Sequence, residues 1–583
     1  MKYILGISAF YHDSAACLLK DGLVVAAAQE ERFSRLKNDS SFPKNAVSFC
    51  LKFANIAIED VELVSFYEKP FQKFERIIDT YSNNVPVGFW SFKKAIKSWM
   101  SEKLWIPAII KKELNYKGRV IFTDHHLSHA ASAFYSSPFN EATIVIVDAV
   151  GEKATTSIGL GCANKITLTE QQSFPNSIGL FYSAFTYYCG FKVNSGEYKL
   201  MGLAPYGKPI YVDLIKSKFV TILEDGSIEL NRKCFGFETG LQMLSKLGIS
   251  HLELKVRNPD DEMVQYYKDI AASVQVITED ILIKTVNYAI VKSGNTKVVM
   301  AGGVALNCKA NQKIWEETNV TELWVQPASG DAGGAIGAAQ LAYFDYLNRE
   351  VFHPEDTLQS HIYLGPCYQE EEIEKQLLEH KIEFKKFNLD LLTQEVAKLL
   401  EQKNIVGWFR GRSEFGPRSL GNRSILASPI FEDMKEHINA KIKFREGFRP
   451  FAPIVLDEDY HLWFESDFKS KYMGVTSICN RKPEIPSCVH DDNTGRVQVL
   501  FEKENSDLHL LISKFKEISK VPVLINTSFN VRGEPIVNCP KDAIRCFFKT
   551  NMDVLVIENY LILKSDNKHV KPQTFKPVEY VLD

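Results

Sequence analysis

The sequence predicts a two-domain α/β protein, and three observations carry that expectation. The chain has 583 residues, beyond the roughly 250 to 300 at which a single core stops growing. Its opening reads as a β-hairpin meander, and strand and helix patterns then alternate. Glycine-rich junctions follow several of those strands, at the edge where an α/β sheet presents its ligands.

Tyr3–Ser8, Ser14–Leu19 and Gly22–Ala28 make the meander, with turns at His12-Asp13 and Asp21-Gly22. Arg119–Thr123, Thr143–Val147, Lys297–Ala301 and Glu322–Val325 read as further strands, and Leu127–Tyr135 and Tyr266–Ser293 have helical periodicity. The aromatic stretch Trp90–Trp105 is broken by Lys93, Lys94, Lys97, Glu102 and Lys103, so it reads as an amphipathic surface helix. A polar stretch without periodicity, Asn348–Ser360 with Pro354, reads as a linker. The first domain is therefore expected at residues 1–350 and the second at 360–583, restarting at Tyr363-Leu-Gly-Pro-Cys367 before an acidic helix start at Glu370–Glu372. No internal repeat or low-complexity segment stands out in the sequence.

Composition excludes several classes. Hydrophobic residues at 45% and charged residues at 24% are those of a globular protein with an ample core. A net charge of −3 gives no global basic field, which argues against nucleic acid or an acidic membrane as partner. Eleven cysteines stand outside any CxxC pair, and the Met-Lys start runs into a strand with no signal-peptide pattern, so a cytoplasmic enzyme with reduced thiols is expected. No apolar run approaches the roughly 20 residues that a membrane span needs.

The motif Asp124-His-His-Leu-Ser-His129 opens a helical pattern, and its i, i+4 spacing sets His125 and His129 on one face. Taken alone, the pair reads equally as metal ligands or as one cap and one core histidine. Asp148 closes the apolar run from Thr143, and Asp331 stands in a glycine-rich turn after Trp324-Val325. Two imidazoles and two carboxylates suit Fe(II), Mn(II) or Zn(II), although either aspartate could instead serve as a turn residue or helix cap. Gly196–Gly207, Ala301–Asn307 and Gly330–Gly334 are glycine-punctuated loops able to bring backbone N–H groups to phosphates, with Lys199 in the first and Gly302, Gly303 and Asn307 in the second. None is a Walker or Rossmann fingerprint.

In the second domain Arg410, Arg412, Arg418 and Arg423 fall in one glycine- and proline-punctuated stretch, followed by Lys443, Arg445 and Arg449. Guanidinium forks of this kind match phosphate and carboxylate oxygens.

These pieces, together with Gly6–Ala15 and Gln29–Phe33, resemble the NodU/CmcH family of O-carbamoyltransferases over nearly the whole chain. The resemblance implies an actin/hexokinase-like first domain, similar to the universal tRNA threonylcarbamoyl-transfer protein, and a YrdC-like second domain. It implies that His125, His129, Asp148 and Asp331 hold a metal, usually iron. Lys443-x-Arg445, Thr494-x-Arg496 and Ser528-x-Asn530 match the family's elements in the second domain. One departure is Ala149, where the family usually has glycine after the aspartate.

The implied activity is an ATP-dependent carbamoyl transfer. Carbamoyl phosphate and ATP would give carbamoyl-adenylate in the second domain, with Arg418, Lys443, Arg445, Arg449 and Arg496 neutralising phosphates and Ser528 and Asn530 orienting the anion. The first domain would pass the carbamoyl group to a hydroxyl of a small molecule or glycan, with His12 as the base and Lys199 assisting phosphate. The insert-like stretch Tyr211–Arg257 is expected to help shape the acceptor pocket. Carbamoyl phosphate, ATP, the acceptor and a second copy of the chain in a homodimer are the expected partners. Two rivals stand beside this reading: a threonylcarbamoyl transferase acting on tRNA, and a non-catalytic ATP-binding regulator on the actin-like fold.

Overall fold

The computed structural model describes residues 2–240, 242–349, 362–447, 449 and 451–572. The chain divides into two compact units, one of Met1–Glu30 with Asn38–Leu358 and one of Glu31–Lys37 with Gln359–Asp583. The short segment Glu31–Lys37 thus belongs with the second unit, where Arg35 donates to the carbonyls of Ile536 and Pro535, both at 2.7 Å. Apart from Asn348 and Arg349, the expected linker Asn348–Ser360 lies outside the described residues.

Two five-stranded sheets build the first unit. The first holds β1 (Tyr3–Ser8), β2 (Ala15–Lys20), β3 (Leu23–Gln29), β4 (Val61–Phe66) and β5 (Arg119–Phe122), in the order β3-β2-β1-β4-β5. The meander β1–β3 is antiparallel, and β4 and β5 continue the sheet in parallel. Asp21 and Gly22 both have positive φ, which is what a tight hairpin between twisted strands requires. After helix α1 (His125–Phe134), the second sheet holds β6 (Glu141–Val147), β7 (Ala154–Cys162), β8 (Lys165–Ser173), β9 (Lys297–Ala301) and β10 (Glu322–Val325), in the order β8-β7-β6-β9-β10. Its meander is again antiparallel, and β9 and β10 again run parallel to the first strand.

The two sheets have the same topology. A repeat therefore exists where none stood out in the sequence, because it is carried by strand pairing and not by residue identity. This duplicated arrangement is the actin/hexokinase-like fold that the resemblance implied for the first domain.

Central strands such as β1 and β6 are buried along nearly their whole length, whereas edge strand β8 alternates between exposed and half-buried positions. Helix α2 (Gln265–Ser293) matches its predicted span to within a residue and ends at Gly294 in the left-handed region. Helix α3 (Asp331–Leu341) packs on β1 and α1. Its contacts demand small residues: a Cβ at Gly337 would stand 1.7 Å from the Ser128 carbonyl oxygen, and one at Gly6 of β1 would stand 1.9 Å from that of Ala335.

The second unit centres on an eight-stranded mixed sheet of β11 (Lys385–Lys386), β12 (Val406–Phe409), β13 (Arg423–Ala427), β14 (Ala452–Leu456), β15 (Gln498–Leu500), β16 (Val523–Ser528), β17 (Val554–Ile557) and β18 (Tyr560–Leu563). Their order is β11-β18-β17-β12-β13-β16-β14-β15. One continuous apolar core, including Trp408, Trp463, Phe515 and Phe547, fills the unit. Among the described residues no helix is long and apolar enough to cross a membrane.

Candidate active site

Helix α1 begins at His125, so His125 and His129 leave it one turn apart from its N-terminal end. Glu152 secures that end, accepting the His125 backbone N–H at 3.0 and 3.1 Å and the Lys69 N–H at 2.7 Å. A carboxylate there satisfies an orphan donor and meets the positive end of the helix dipole. Asp148 follows β6. Asp331 is the first residue of α3 and not a turn residue as expected, so its carboxylate also stands at a helix N-terminus.

The four side chains converge and are all buried. His125 Nε2 lies 3.1 Å from His129 Nε2 and 3.2 Å from Asp148 Oδ2. Both imidazole Nε2 atoms lie 3.6 Å from Asp331 Oδ1, and one ligand atom from each residue falls within 4.8 Å of every other. Ligands held at ~2.1 Å from one ion stand roughly 3.0 to 3.4 Å apart in octahedral or tetrahedral geometry, so the nearest pairs have the spacing of a shared cation. Electrostatics gives the same answer. Burial works against charge on His125, yet Asp331 and then Asp148 push it up to about 9. Burial likewise opposes ionisation of Asp148, but the hydrogen bond from His125 and the charge of His129 hold its carboxyl well below the usual range. These carboxylates favour a positive charge among them.

Neighbouring groups hold these four side chains in place. Gly303 N–H donates to Asp148 Oδ1 at 3.0 Å. Gly302 makes that approach feasible: its φ is 95°, and a Cβ there would stand 2.2 Å from the Val147 carbonyl oxygen. Ala149 does not spoil the turn, since its backbone stays outside the left-handed region and its carbonyl accepts Ser177 Oγ at 2.6 Å. Glu68 Oε2 stands 3.8 Å from His125 Nδ1 and is the nearest carboxylate behind that ring. His126 points away, its Nδ1 2.8 Å from Ser157 Oγ, and burial followed by His125 pushes it down to about 3, so it stays neutral.

His12 stands in the loop between β1 and β2, half-buried at the edge of this cluster. Its Nδ1 meets Asp13 Oδ2 at 3.0 Å, and its Nε2 lies 3.7 Å from Asp331 Oδ2. Burial again opposes charge, while Asp331 and then Asp13 push His12 up to about 9.

The glycine-punctuated loops are largely helical. Glu197–Leu203 and Ala204–Tyr206 form short helices, because Glu-Tyr-Lys-Leu-Met contains good helix formers and no β-branched residue. Lys199 is buried there, 5.9 Å from the Phe191 ring centroid. Asn307 caps the helix Cys308–Glu317 through Ala310 N–H at 3.1 Å and exchanges hydrogen bonds of 3.0 and 3.1 Å with Gln275. In the predicted insert, Arg257 is buried and donates to the Cys189 carbonyl at 2.8 Å.

In the second unit Lys443, Ser528 and Asn530 meet. Lys443 Nζ donates to Ser528 Oγ at 3.1 Å, Asn530 O at 2.9 Å and Asn530 Oδ1 at 2.7 Å, as well as to the Ser528 carbonyl. Among the described residues no carboxylate is within 4.0 Å of this ammonium. Burial, then Arg445, hold it well below the usual lysine range. Arg445 donates to Asn439 Oδ1 at 2.7 Å and lies over the Phe451 ring, and Arg449 meets Glu446 at 3.0 Å. Arg418 donates to the Tyr472 carbonyl at 3.4 Å, and Arg496, next to the short strand Thr494–Gly495, is half-buried.

Two family profiles match this chain: Carbamoyltransferase N-terminus over residues 3–340 and Carbamoyltransferase C-terminus over residues 397–564. The chain belongs to the NodU/CmcH carbamoyltransferase family. It is an enzyme, and its reaction is an ATP- and carbamoyl-phosphate-dependent carbamoyl transfer. It is 44% identical to an uncharacterized protein of Synechocystis sp. over 97% of both chains, and 32% identical to nodulation protein NolNO of Sinorhizobium fredii over 95% of this chain and 79% of that one. Component A of the Acidaminococcus fermentans (R)-2-hydroxyglutaryl-CoA dehydratase aligns with 59% of this chain and 98% of its own at 18% identity and TM-score 0.31, too low to add to the topology.

Three of the clustered arginines of this carbamoyltransferase, none of them expected above at the phosphates, bond to the protein itself. Arg423 is fully buried, lies 3.6 Å from the Phe409 ring centroid and donates to the carbonyls of Arg410, Asn422, Pro366 and Gly411. Arg410 pairs with Asp507 at 2.8 Å, and Arg412 donates to the carbonyls of Gly365 and Leu364. These three guanidinium groups tie loops together, and Arg418 is the one of the four that was expected at the phosphates. Glu152, Glu68 and the Asp13 partner of His12 were not foreseen from the sequence. Only Asp13, adjacent to His12, gave a signal that could have been read.

Proposed function

We propose that the second unit is a YrdC-like domain that makes carbamoyl-adenylate, and that the first unit transfers its carbamoyl group to an acceptor hydroxyl. By mass balance, carbamoyl phosphate, ATP and one water give carbamoyl-adenylate, pyrophosphate and inorganic phosphate. Lys443, held by Ser528 and Asn530 without a carboxylate counter-charge, is the centre of that first step. Arg418, Arg445, Arg449 and Arg496 add positive charge for the phosphates, an electrostatic and positional form of catalysis.

In the transfer step the acceptor oxygen bonds to the carbamoyl carbon, the bond to AMP breaks, and the acceptor proton passes to His12 Nε2. Asp13 accepts from Nδ1 and so fixes the tautomer that leaves Nε2 to act as the base. Gly302, Gly303 and Asn307 border the nucleotide in this reading, with Lys199 near its phosphate. His125, His129, Asp148 and Asp331 would hold the metal, which we propose is iron. When bound, it supplies Lewis acidity and a counter-charge that offsets the Asp331 field on His12.

The buried quartet with His12 at its edge carries this reading. Incubating the metal-loaded protein with ATP, carbamoyl phosphate and hydroxyl compounds, and measuring mass gain, tests it. Addition of one carbamoyl group, dependent on both co-substrates, is the expected result. Transfer that proceeds without ATP would refute the adenylate route.

A further inference from the structure

Beside the metal ligands, on the His12 side, stands a second cluster that the transfer step above does not use. Tyr11 is its centre, its ring centroid 4.7 Å from that of His12. Lys73 Nζ lies 4.5 Å and Lys103 Nζ 6.0 Å from the centroid of Tyr11, and Lys103 also lies 5.5 Å from that of Trp99. Arg76 stands one turn from Lys73 on the helix Pro70–Ser82, donating to the Gly151 carbonyl at 3.0 Å.

Only one of these cations has a close ion-pair partner among the described residues. Glu68 pairs with Lys73 at 2.6 Å. Among the described residues, neither Arg76 nor Lys103 has a carboxylate within 4.0 Å. Burial, the largest influence on each, disfavours the charge of both, so holding them there has a cost that an anion would offset. Among the described residues the fully buried Tyr67 hydroxyl also finds no hydrogen-bond partner, and its electrostatic neighbours include Glu68, Asp331 and Tyr11.

The position of these cations in the fold suggests which ligand they serve. They lie in residues 67–118, the connection from β4 to β5. The equivalent connection in the second copy, from β9 to β10, is residues 302–321, less than half as long. The added helices Phe89–Ser101 and Ile106–Leu114 are thus an elaboration of the duplicated core. Lys103 follows the first of them, in the stretch whose sequence reads as an amphipathic surface helix. Assigning the nucleotide to Gly302, Gly303 and Asn307 leaves this cluster for the acceptor, next to the proposed base.

We infer that Lys73, Arg76 and Lys103 form an anion subsite for the acceptor, so the hydroxyl compound that is carbamoylated carries a carboxylate, phosphate or sulfate group. This rests on the transfer reading above. Selenate soaked into crystals of the full, metal-loaded chain with AMP bound should give an anomalous peak beside Arg76 and Lys103. The peak should vanish in R76Q/K103Q and persist in R76K/K103R, and calorimetry should show selenate affinity at least about tenfold weaker in the glutamine variant. Absence of the peak in wild type, equal occupancy in the glutamine variant, or a peak without measurable affinity, meaning an adventitious ion only, overturns the subsite. Loss of AMP affinity in R76Q/K103Q assigns the cations to the nucleotide phosphate and overturns the acceptor assignment.

Matched acceptors extend the test to substrate class. Glycerol against glycerol 3-phosphate, and glucose against glucose 6-phosphate and glucuronate, should show carbamoylation of charged members only. Preference for a neutral member contradicts the inference, and if none reacts the selenate result decides. Carbamoyl-phosphate-dependent pyrophosphate release, read in parallel, judges the underlying reading separately: its absence in wild type refutes the activation step, whatever the subsite does.

Discussion

His12 is the proposed base of the transfer step, and its replacement separates chemistry from assembly. A general base contributes roughly 100-fold to 10,000-fold. His12→Asn keeps approximate size but accepts no proton at neutral pH, so carbamoyl transfer from supplied carbamoyl-adenylate is expected to fall by that order with metal content unchanged. Near wild-type transfer would make His12 a loop residue only. His129→Ala should behave oppositely, losing the metal while keeping its fold, as elemental analysis and circular dichroism would show. Full metal occupancy in that variant would dissolve the quartet. Lys443 adds a pH signature. Burial, then Arg445, depress its ammonium, and a depressed amine loses its proton as pH rises through the lowered value. Pyrophosphate release should therefore decline on the alkaline side at lower pH than an unperturbed lysine would give. Lys443→Arg, which keeps its charge, should flatten that decline, and an unchanged alkaline profile in this variant would argue against Lys443 as the titrating group.

At the scale of elements, three of the four proposed ligands sit on α1 and α3, two helices whose closeness depends on Gly337. Gly337→Ala would set a Cβ 1.7 Å from the Ser128 carbonyl oxygen, so the helices must part. A stability loss of at least about 1–3 kcal/mol, together with weaker metal binding, is expected. Unchanged melting and metal content would show that the helices do not position the site. The sequence disclosed this region unevenly. Helical spacing alone puts His125 and His129 on one face, and the ends of apolar runs mark Asp148. Glu152 and Glu68 gave no signal, because what they do depends on backbone N–H groups and ring nitrogens that only the fold brings to them. The roles of Arg410, Arg412 and Arg423 were hidden for the same reason: their partners include main-chain carbonyls, which no residue type announces.

For the whole molecule, the alternation of strands and helices was readable, whereas the duplication was not. β1 and β6 occupy equivalent places, yet Tyr-Ile-Leu-Gly-Ile-Ser and Glu-Ala-Thr-Ile-Val-Ile-Val share little beyond apolar content. Hydrophobic patterning identifies a buried strand without saying which strand lies beside it. The placement of Glu31–Lys37 with the second unit was equally hidden, since Arg35 reaches Glu534 at 3.2 Å across most of the sequence. Activation and transfer are proposed as separate steps in separate units. Carbamoyl-phosphate-dependent pyrophosphate release, measured side by side on Lys443→Ala and His12→Asn, tests this most directly. No release from Lys443→Ala and a wild-type rate from His12→Asn are expected, and normal release from Lys443→Ala would contradict the separation.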